Sequence, residues 1–355
     1  MNKLKDTFKN KKVIVTGHTG FKGSWLTLWL LKLGANVVGI SNGHPTKPSH
    51  FRELSIKNKI RNYWVDVRNL KKTRNVFIKE KPDFVFHLAA QAIVKKSFKN
   101  PIYNWETNTI GTINVMESLR YSKKKCTAIM ITSDKSYKNL EIKRGYKEND
   151  LLGGYDPYSA SKSAAEFAIQ SYVKSFFSKK NKILIGVARA GNVIGGGDWS
   201  DNRLIPDCVK AWSKKKIVNL RNPASTRPWQ HVLEALHGYL IFAKALEKNK
   251  KLHGQAFNFG PPNSNDYKVI SVVKGMKIYW NKVSWRVNNS KKFSESGLLK
   301  LNSNKAKKIL KWKNYLDFKK TVKFVGEWYN DYYTKSKNSY IISNKQIDIY
   351  EKYLN

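Results

Sequence analysis

Short apolar runs alternate with longer segments along the first 190 residues. The runs have the length and β-branched content of strands: KVIVT (12–16), ANVVGI (35–40), KIRNYWVDV (59–67), DFVFHLAA (83–90), AIMITSD (128–134) and KILIGVARAG (182–191). The segments between them, such as SWLTLWLLKLG (24–34) and residues 101–121, predict helices. Strands this apolar, separated by helices, indicate a parallel sheet buried on both faces. The pattern therefore predicts an α/β fold with a doubly wound (Rossmann) sheet.

The alternation weakens after residue 190. Residues 191–229 are rich in Gly, Asp, Asn and Pro and predict loops with short helices, whereas 231–248 predicts a helix and QAFNFG (255–260) a strand. We expect a first domain over 1–190 plus about 230–258, and a smaller mixed α/β C-terminal domain over 191–229 and 259–335. Residues 336–355 show no convincing pattern and stay unassigned.

Composition narrows the class of protein. With 355 residues, 41% of them hydrophobic, the chain can bury the core of one large or two modest domains. Cys126 and Cys208 lie far apart, which excludes a disulfide scaffold or a zinc finger, and we expect no metal site. No leader or membrane-spanning run precedes the first strand, so the expected location is the cytoplasm.

The charge is unusual. A net charge of +42, from 67 basic and 25 acidic residues, suggests anionic partners such as nucleic acid or phosphorylated small molecules. The lysines are scattered, with only short runs such as Lys123–Lys125 and Lys214–Lys216. The charge therefore argues for solubility and steering, and nucleic-acid binding is kept only as an alternative.

A glycine-rich turn joins the first strand to the first long helix. Gly17, Gly20 and Gly23 are spaced G-x-x-G-x-x-G, with Thr19, Phe21 and Lys22 between them. Glycine permits the tight turn and lets the backbone approach a pyrophosphate, which the amides of the helix N-terminus then bind. The motif in this setting predicts a dinucleotide site and makes the first domain the dinucleotide-binding one.

The end of the second strand bears on which dinucleotide binds. An acidic residue usually stands there for the adenosine ribose, but this chain has Ser41 and Asn42. No arginine stands nearby in sequence for a 2′-phosphate. We therefore expect NAD rather than NADP, with Asp66 and Val67 at the adenine edge.

A tyrosine and a lysine follow the fifth strand with helical spacing. Tyr158 and Lys162 are i and i+4 and share one helix face. An ammonium beside a phenol favours the phenolate and lowers the pKa of the tyrosine, which makes a general base for a hydroxyl being oxidised. Ser133, at the end of the fifth strand, makes the pair more specific.

Together these features resemble the extended short-chain dehydrogenase/reductase family and, within it, the nucleotide-sugar 4,6-dehydratases. The segments that carry the resemblance are TGHTGFKGSWL (16–26), TSDKSY (132–137), GGYDPYSASK (153–162), ARAGNVIGGGDW (188–199), RLIPD (203–207) and RPWQHV (227–232). The resemblance implies a redox-neutral loss of water with NAD bound throughout, deoxysugar synthesis for surface polysaccharide, and often a homodimer. It also adds Leu88, Ala89, Ala90 and Asn108 to the expected cofactor contacts.

The resemblance assigns catalytic roles next to the fifth strand. Ser133-Asp134-Lys135 resembles the CDP-glucose branch, whereas most 4,6-dehydratases carry Thr-Asp-Glu there. Ser133 would orient the C4 oxygen, and Asp134, its pKa raised by burial, would protonate the departing C6 hydroxyl. Lys135 takes the place of the usual C5 base, although another base or a structural salt bridge of Lys135 stays open.

Downstream polar residues are expected at the nucleotide diphosphate. The candidates are Asn192, Arg203, Arg221 and Arg227, since arginine forks match phosphate oxygens. Trp199 and Trp229 are expected to pack rather than to stack on a base. An epimerase, a plain reductase and a nucleic-acid-binding protein remain the alternatives.

Overall fold

The computed structural model describes residues 4–177, 182–220, 222–262, 267–280, 283–287 and 299–354. Its strands are Lys12–Thr16 (β1), Asn36–Ser41 (β2), Arg61–Trp64 (β3), Phe84–His87 (β4), Cys126–Ile131 (β5), Ile183–Ala190 (β6), Val193–Ile194 (β7), Val218–Leu220 (β8), Thr226–Arg227 (β9), Gln230–His231 (β10), Ala256–Phe259 (β11), Tyr267–Lys268 (β12) and Trp285–Val287 (β13). Its α-helices are Lys5–Phe8 (α1), Phe21–Lys32 (α2), His50–Glu53 (α3), Leu70–Glu80 (α4), Val94–Lys99 (α5), Pro101–Trp105 (α6), Gly111–Arg120 (α7), Pro157–Ser175 (α8), Leu204–Ser213 (α9), Val232–Lys248 (α10), Val269–Lys277 (α11), Asn304–Leu310 (α12), Phe318–Tyr333 (α13) and Ser339–Lys352 (α14).

Seven strands pair in parallel to form the central sheet, in the order β11-β6-β5-β4-β1-β2-β3. The predicted doubly wound sheet is confirmed, and each predicted run forms one of its strands with ends shifted by at most three residues. The strand order reverses at β1, which pairs with both β2 and β4. In such a sheet the ligand crevice lies at the carboxyl ends of the strands beside this reversal.

Helices cover both faces of the sheet because its strands are apolar on both sides. In β1, Val13 and Val15 pack into the larger core with α2, α10 and α13, whereas Ile14 packs into the second core with α4, α7 and α8. All three side chains are fully buried. Burial of a side chain of this size stabilises the fold by roughly 1.5–3 kcal/mol. Because successive side chains of β1 point to opposite faces of the sheet, this one strand packs against the helices on both faces.

The single helix predicted over 101–121 is wrong in one respect. A π-helical turn at Glu106–Ile110 separates α6 from α7. This wider turn leaves Asn104 and Asn108 on the same side, where both amides donate to Ser161 Oγ, at 3.0 and 2.9 Å. π-turns often occur at functional sites, and this one connects α6 and α7 to the helix that carries Tyr158.

Smaller elements assemble beyond residue 190. The strand pairs are β10 with β7, β12 with β9 and β13 with β8. Trp199 and Trp229 are buried here, as predicted: the Trp199 ring lies 5.8 Å from that of Trp328, and Trp229 Nε1 donates to the Tyr267 carbonyl at 3.0 Å. Within its described residues this region is thus held by aromatic packing and by short strand pairs.

The C-terminal segment without a predicted element forms α14. Its Ile347 and Tyr350 are buried, and Trp29 Nε1 of α2 donates to Glu351 Oε1 at 2.9 Å. Glu234 of α10 accepts from the Tyr350 hydroxyl at 3.1 Å. The segment is therefore packed onto α2 and α10. Among the described helices, none is long and apolar enough to cross a membrane.

Candidate active site

The turn between β1 and α2 requires glycine for steric reasons. Gly17 has φ +71°, and a Cβ there would lie 2.8 Å from the Ala89 backbone. A Cβ on Gly23 would lie 2.1 Å from the Gly17 carbonyl oxygen. Gly20 is the N-cap of α2 without a side-chain cap, so the first amides of this twelve-residue helix remain available. The cradle fits the pyrophosphate of a dinucleotide.

Hydroxyl groups close the turn against the end of β2. Thr19 Oγ1 lies 2.6 Å from both Ser41 Oγ and the Gly43 carbonyl oxygen. Asn42 Nδ2 donates to Asp66 Oδ2 at 3.0 Å. These contacts place the side chains expected at the adenosine end of a dinucleotide in one cluster.

Arg68 joins this cluster, although the sequence places no arginine near the end of β2. Its guanidinium pairs with Asp66 Oδ2 at 2.9 Å and with Glu106 Oε2 at 2.8 Å. Two carboxylates thus pair with this arginine, which leaves its guanidinium less available to a 2′-phosphate. The expectation of NAD rather than NADP therefore still holds, because the nearby arginine is paired with carboxylates and not because an arginine is absent.

The loop after β4 is held by asparagine side chains. Asn108 Oδ1 accepts from the Gln91 amide at 2.8 Å, and its Nδ2 lies within hydrogen-bond distance of the Gln91 carbonyl and of Ser161 Oγ. These bonds fix the loop that contains Leu88, Ala89 and Ala90 beside the glycine turn. Asn108 is therefore bonded to the loop itself, and a direct contact of Asn108 with the cofactor stays a prediction.

Tyr158 lies in the first turn of α8, at the carboxyl end of β5. The helix begins with Asp156 as N-cap and Pro157 at its first position, and Asp156 Oδ1 accepts from the Ser159 amide at 3.0 Å. Tyr158 is buried, and the Ser133 side chain lies close enough to influence its pKa. The structure thus brings together the predicted base and the end of the fifth strand.

The pKa of Tyr158 does not follow the expectation of a lowered value. Burial raises the pKa of Tyr158 above its ordinary range, and the Asp134 carboxyl adds to this, while the nearby Ser133 hydroxyl and the charge of Arg203 act in the opposite direction. Desolvation of the phenolate outweighs these two favourable contacts. The protein alone therefore holds this residue as a phenol at neutral pH.

Lys162 is buried one turn after Tyr158. Burial and, to a smaller extent, the neighbouring charge of Lys22 lower its pKa to about 8, while the charge of Glu166 opposes this shift. Its ammonium has no hydrogen-bond partner among the described residues. A buried cation with unused donors is suited to bind ligand hydroxyls, such as those of a ribose.

Asp134 is buried between β5 and β6. Ser133 Oγ donates to its Oδ1 at 2.8 Å, and a Cβ on Gly191 would lie 2.4 Å from its Oδ2. Burial raises the pKa of Asp134, while the charges of Lys135 and Lys22 oppose this shift. The direction agrees with the expectation of a raised pKa, since burial favours the protonated form of the carboxyl.

Lys135 follows directly and lines a small cavity. The cavity measures about 220 Å³ and also involves Gly154, Tyr155 and Ser159. Among the described ion pairs, none involves Lys135, so the structural salt bridge that was left open for it has no support. The charge of Lys135 lowers the pKa of the nearby Asp134, although the two side chains form no ion pair.

The predicted diphosphate contacts are only partly brought together. Arg203 pairs with Asp198 at 3.1 Å, and its charge acts on both Tyr158 and Lys22, which places it at the cleft. Asn192 lies between β6 and β7, and Arg227 lies in β9 with Nη1 donating to the Thr226 carbonyl at 2.8 Å. Arg221 lies outside the described residues.

One contributor at the site, Gly191, was missed from sequence, and Lys22, predicted only as a cofactor contact, has a second role. Gly191 makes room for the Asp134 carboxyl, and Lys22 contributes charge to the catalytic cleft as well as to the glycine turn. Position gave one signal, because Gly191 ends the strand adjacent to β5. A groove of about 810 Å³ between α2 and α14 lies away from these residues.

Comparisons with known proteins agree with this geometry. The profile of the GDP-mannose 4,6 dehydratase family matches residues 14–325. A CDP-glucose 4,6-dehydratase of Salmonella typhimurium is 39% identical over 351 residues, which is 98% of this chain and 98% of that protein.

Solved structures share the fold at low identity. An epimerase from Methanothermobacter thermautotrophicus aligns with a TM-score of 0.80 and 21% identity, covering 94% of this chain and 96% of that one. A dTDP-glucose 4,6-dehydratase from Streptomyces venezuelae, with NAD and TYD bound, aligns with a TM-score of 0.76 and 18% identity, covering 90% and 97%. At this identity the two structures support the architecture of the chain alone.

Proposed function

The chain belongs to the GDP-mannose 4,6 dehydratase family, and from this we propose that it converts CDP-glucose to CDP-4-dehydro-6-deoxy-glucose with loss of water. The observation that carries the proposal is the meeting of Tyr158, Ser133 and Asp134 beside the glycine turn, with the pKa of Asp134 raised by burial. A carboxyl that keeps its proton is what loss of a hydroxyl requires. The first domain binds the dinucleotide, and residues 191–229 and 259–335 bind the nucleotide sugar.

The cofactor is NAD. The amides after Gly20 would hold its pyrophosphate, Lys162 its nicotinamide ribose, and Asp66 with Val67 its adenosine end. When bound, it supplies the oxidant for C4 of the sugar and returns the same reducing equivalent to C6, so that the reaction is redox-neutral.

Tyr158 and Ser133 act at C4. Ser133 orients the C4 oxygen, and Tyr158, ionised to the phenolate once the positive charge of bound NAD⁺ adds to that of Lys162, takes the hydroxyl proton and becomes a phenol as C4 becomes a ketone. The Lys162 ammonium, one helical turn from Tyr158, favours the phenolate that has to be present before the proton moves.

Asp134 and Lys135 act across C5 and C6. The 4-ketone acidifies the C5 hydrogen, and Lys135 as a neutral amine, or another base, takes that proton while Asp134 gives its own to the C6 hydroxyl. The C6–O bond breaks, water leaves and a C5–C6 double bond forms. The burial that raises the pKa of Asp134 excludes water from this step.

Arginine side chains bind the diphosphate. Arg203 is the best placed, because its charge is sensed at Tyr158 while its pairing with Asp198 anchors it at the cleft. Asn192 and Arg227 complete this part of the proposal, since planar guanidinium groups match phosphate oxygens.

The proposal includes a homodimer, a cytoplasmic location and a role in deoxysugar synthesis for surface polysaccharide. The helices α5, α6 and α8 pack together and carry exposed apolar side chains, namely Phe98, Ile102, Trp105 and Phe167. A second copy of the chain would cover this face. Light scattering on Ile102→Glu should show monomers, and Ile278→Glu, another exposed isoleucine, serves as the control.

One assay tests the activity. The purified protein is incubated with CDP-, dTDP-, UDP- and GDP-glucose, and products are scored by mass. We expect loss of one water from CDP-glucose without net accumulation of NADH. A product of unchanged mass would indicate an epimerase instead, and stoichiometric use of NADH or NADPH would indicate a reductase.

A further inference from the structure

A buried ion pair lies beneath the residues assigned to the chemistry. Glu166 of α8 and Arg189 of β6 have side-chain exposures of 1% and 2%. Arg189 Nε donates to the two carboxylate oxygens of Glu166 at 2.8 and 3.0 Å, and Nη2 also pairs with Oε2. The guanidinium and the carboxylate therefore form a fork that leaves neither charge unpaired.

The same carboxylate holds both sides of the catalytic turn. Thr132 Oγ1 donates to Glu166 Oε1 at 2.6 Å. Ser136 Oγ lies 2.9 Å from that oxygen and 2.6 Å from the Ser133 carbonyl oxygen, so its single proton is shared between them. Residues 133–135 thus lie between two hydroxyls that meet on one carboxylate oxygen.

The other end of the arginine secures the chain that leaves the turn. Arg189 Nη1 donates to the Tyr137 hydroxyl at 2.6 Å and to the Glu148 carbonyl at 3.0 Å. The Tyr137 hydroxyl in turn donates to Asn258 Oδ1 of β11 at 2.9 Å. The ion pair therefore connects the turn to the two neighbouring strands β6 and β11.

Helix α8 carries the anchor and the catalytic pair on one side. Tyr158, Lys162 and Glu166 follow one another at intervals of four residues. Because a helix is rigid over this distance, the position of Glu166 fixes the position of Tyr158 relative to whatever Glu166 binds.

We infer that Glu166 and Arg189, acting through Thr132 and Ser136, are positioning residues that set Asp134 and Ser133 against Tyr158. The inference rests on the proposed function. Both side chains of the pair are buried and bond to the turn, so the inferred effect is on geometry; the charge of Glu166, which also raises the pKa of Lys162, is left in place by the hydroxyl substitutions below. Catalysis depends on positions within about 1 Å, and such a misplacement costs on the order of 100-fold in rate.

Substitutions of the two hydroxyls test the inference, because removing one partner of a buried ion pair is strongly destabilising. Thr132→Val keeps the shape and the ion pair but removes one bond to Glu166. We expect kcat for dehydration of CDP-glucose, and the exchange of C5 hydrogen with deuterated solvent, to fall by about 10- to 100-fold while KM changes by less than about twofold. Ser136→Ala should behave in the same way.

Two variants serve as controls. Thr132→Ser restores the hydroxyl and should restore kcat. Ser118→Ala removes a buried hydroxyl of α7 that donates to the Asn114 carbonyl at 2.7 Å, and it should leave kcat unchanged. A thermal melt of each variant shows that the folded fraction is not what changes.

The outcomes separate the two claims. If wild-type protein releases no water from any nucleotide sugar, the proposed function fails and this inference fails with it. If wild-type protein is active but Thr132→Val and Ser136→Ala keep their kcat, the inference alone fails. A loss of kcat that Thr132→Ser does not restore, or one matched by a rise in KM, also overturns it.

Discussion

A methyl group at position 191 should displace the catalytic acid without touching its chemistry. In Gly191→Ala the new Cβ would lie 2.4 Å from Asp134 Oδ2 and 3.0 Å from Asp134 Cγ. An ordinary contact of this kind is 3.4 Å or more. The carboxyl must therefore move by about 1 Å, and it then gives up its bond of 2.8 Å from Ser133 Oγ.

Two quantities follow from that displacement. A shift of about 1 Å lowers the rate of a positioned group on the order of 100-fold, so the loss of water should slow by that factor. Overpacking of a filled site costs about 1–3 kcal/mol of unfolding free energy. Because oxidation at C4 depends on Tyr158 rather than on Asp134, the reduced cofactor should accumulate and be visible by its absorbance.

A double-mutant cycle assigns the effect to Asp134. In an Asp134→Ala background the carboxyl is absent, so Gly191→Ala should no longer destabilise the fold, and the coupling should exceed about 0.5 kcal/mol. Gly260→Ala, whose Cβ would lie 3.1 Å from Leu301 Cβ, controls for tight packing elsewhere. The reasoning is refuted if Gly191→Ala turns over at the wild-type rate, or if it destabilises both backgrounds equally.

Four further outcomes follow from the same site and from α10. Tyr158→Phe should abolish oxidation at C4 with an unchanged melting temperature, and retained turnover would remove it as the base. Asp134→Asn should still oxidise C4 but stall before water is lost, which stopped-flow absorbance would show as trapped NADH; normal turnover would place the acid elsewhere. Lys135→Met should slow exchange of the C5 hydrogen with solvent, and an unchanged exchange rate would exclude Lys135 as the C5 base. Burial raises the pKa of Glu234 from 4.5 to about 7, so between these pH values the folded state binds a proton that the unfolded state has lost. The unfolding free energy should therefore fall by on the order of 3 kcal/mol as the pH rises through this range. Glu234→Gln should make the unfolding free energy nearly independent of pH across this range, because glutamine does not titrate, and its side-chain oxygen can still accept from the Tyr315 backbone amide. Denaturant titrations measure this dependence, and an unchanged dependence would contradict the assignment.

Local features of the fold were predictable because their causes are local. The glycine turn follows from three residues within one short segment, and the strands follow from continuous apolar runs. The helix α14 was not predicted, because its buried Ile347 and Tyr350 become apolar contacts only against Trp29 and α10. Tertiary partners, not periodicity, decide such an element.

The site shows the same division. Tyr158 and Lys162 could be predicted as a pair, since four residues along a helix fix their proximity. The raised pKa of Tyr158 could not, because it depends on burial that the whole fold creates. Nor could the link from Asn42 through Asp66 and Arg68 to Glu106, which joins residues from separate loops and helices.

The distribution of positive charge matters more for the proposed reaction than its total. Lys22 and Lys135 both lower the pKa of Asp134, and burial raises it by more. A bound diphosphate brings negative charge that counters these two cations, so the pKa of Asp134 should rise further when the nucleotide sugar binds. Asp134 should then be most fully protonated in the complex with the nucleotide sugar, where it has the C6 hydroxyl to protonate. The negative charge of the substrate itself causes this shift. The scattered lysines of the surface are screened by salt over about 10 Å and contribute little to this coupling.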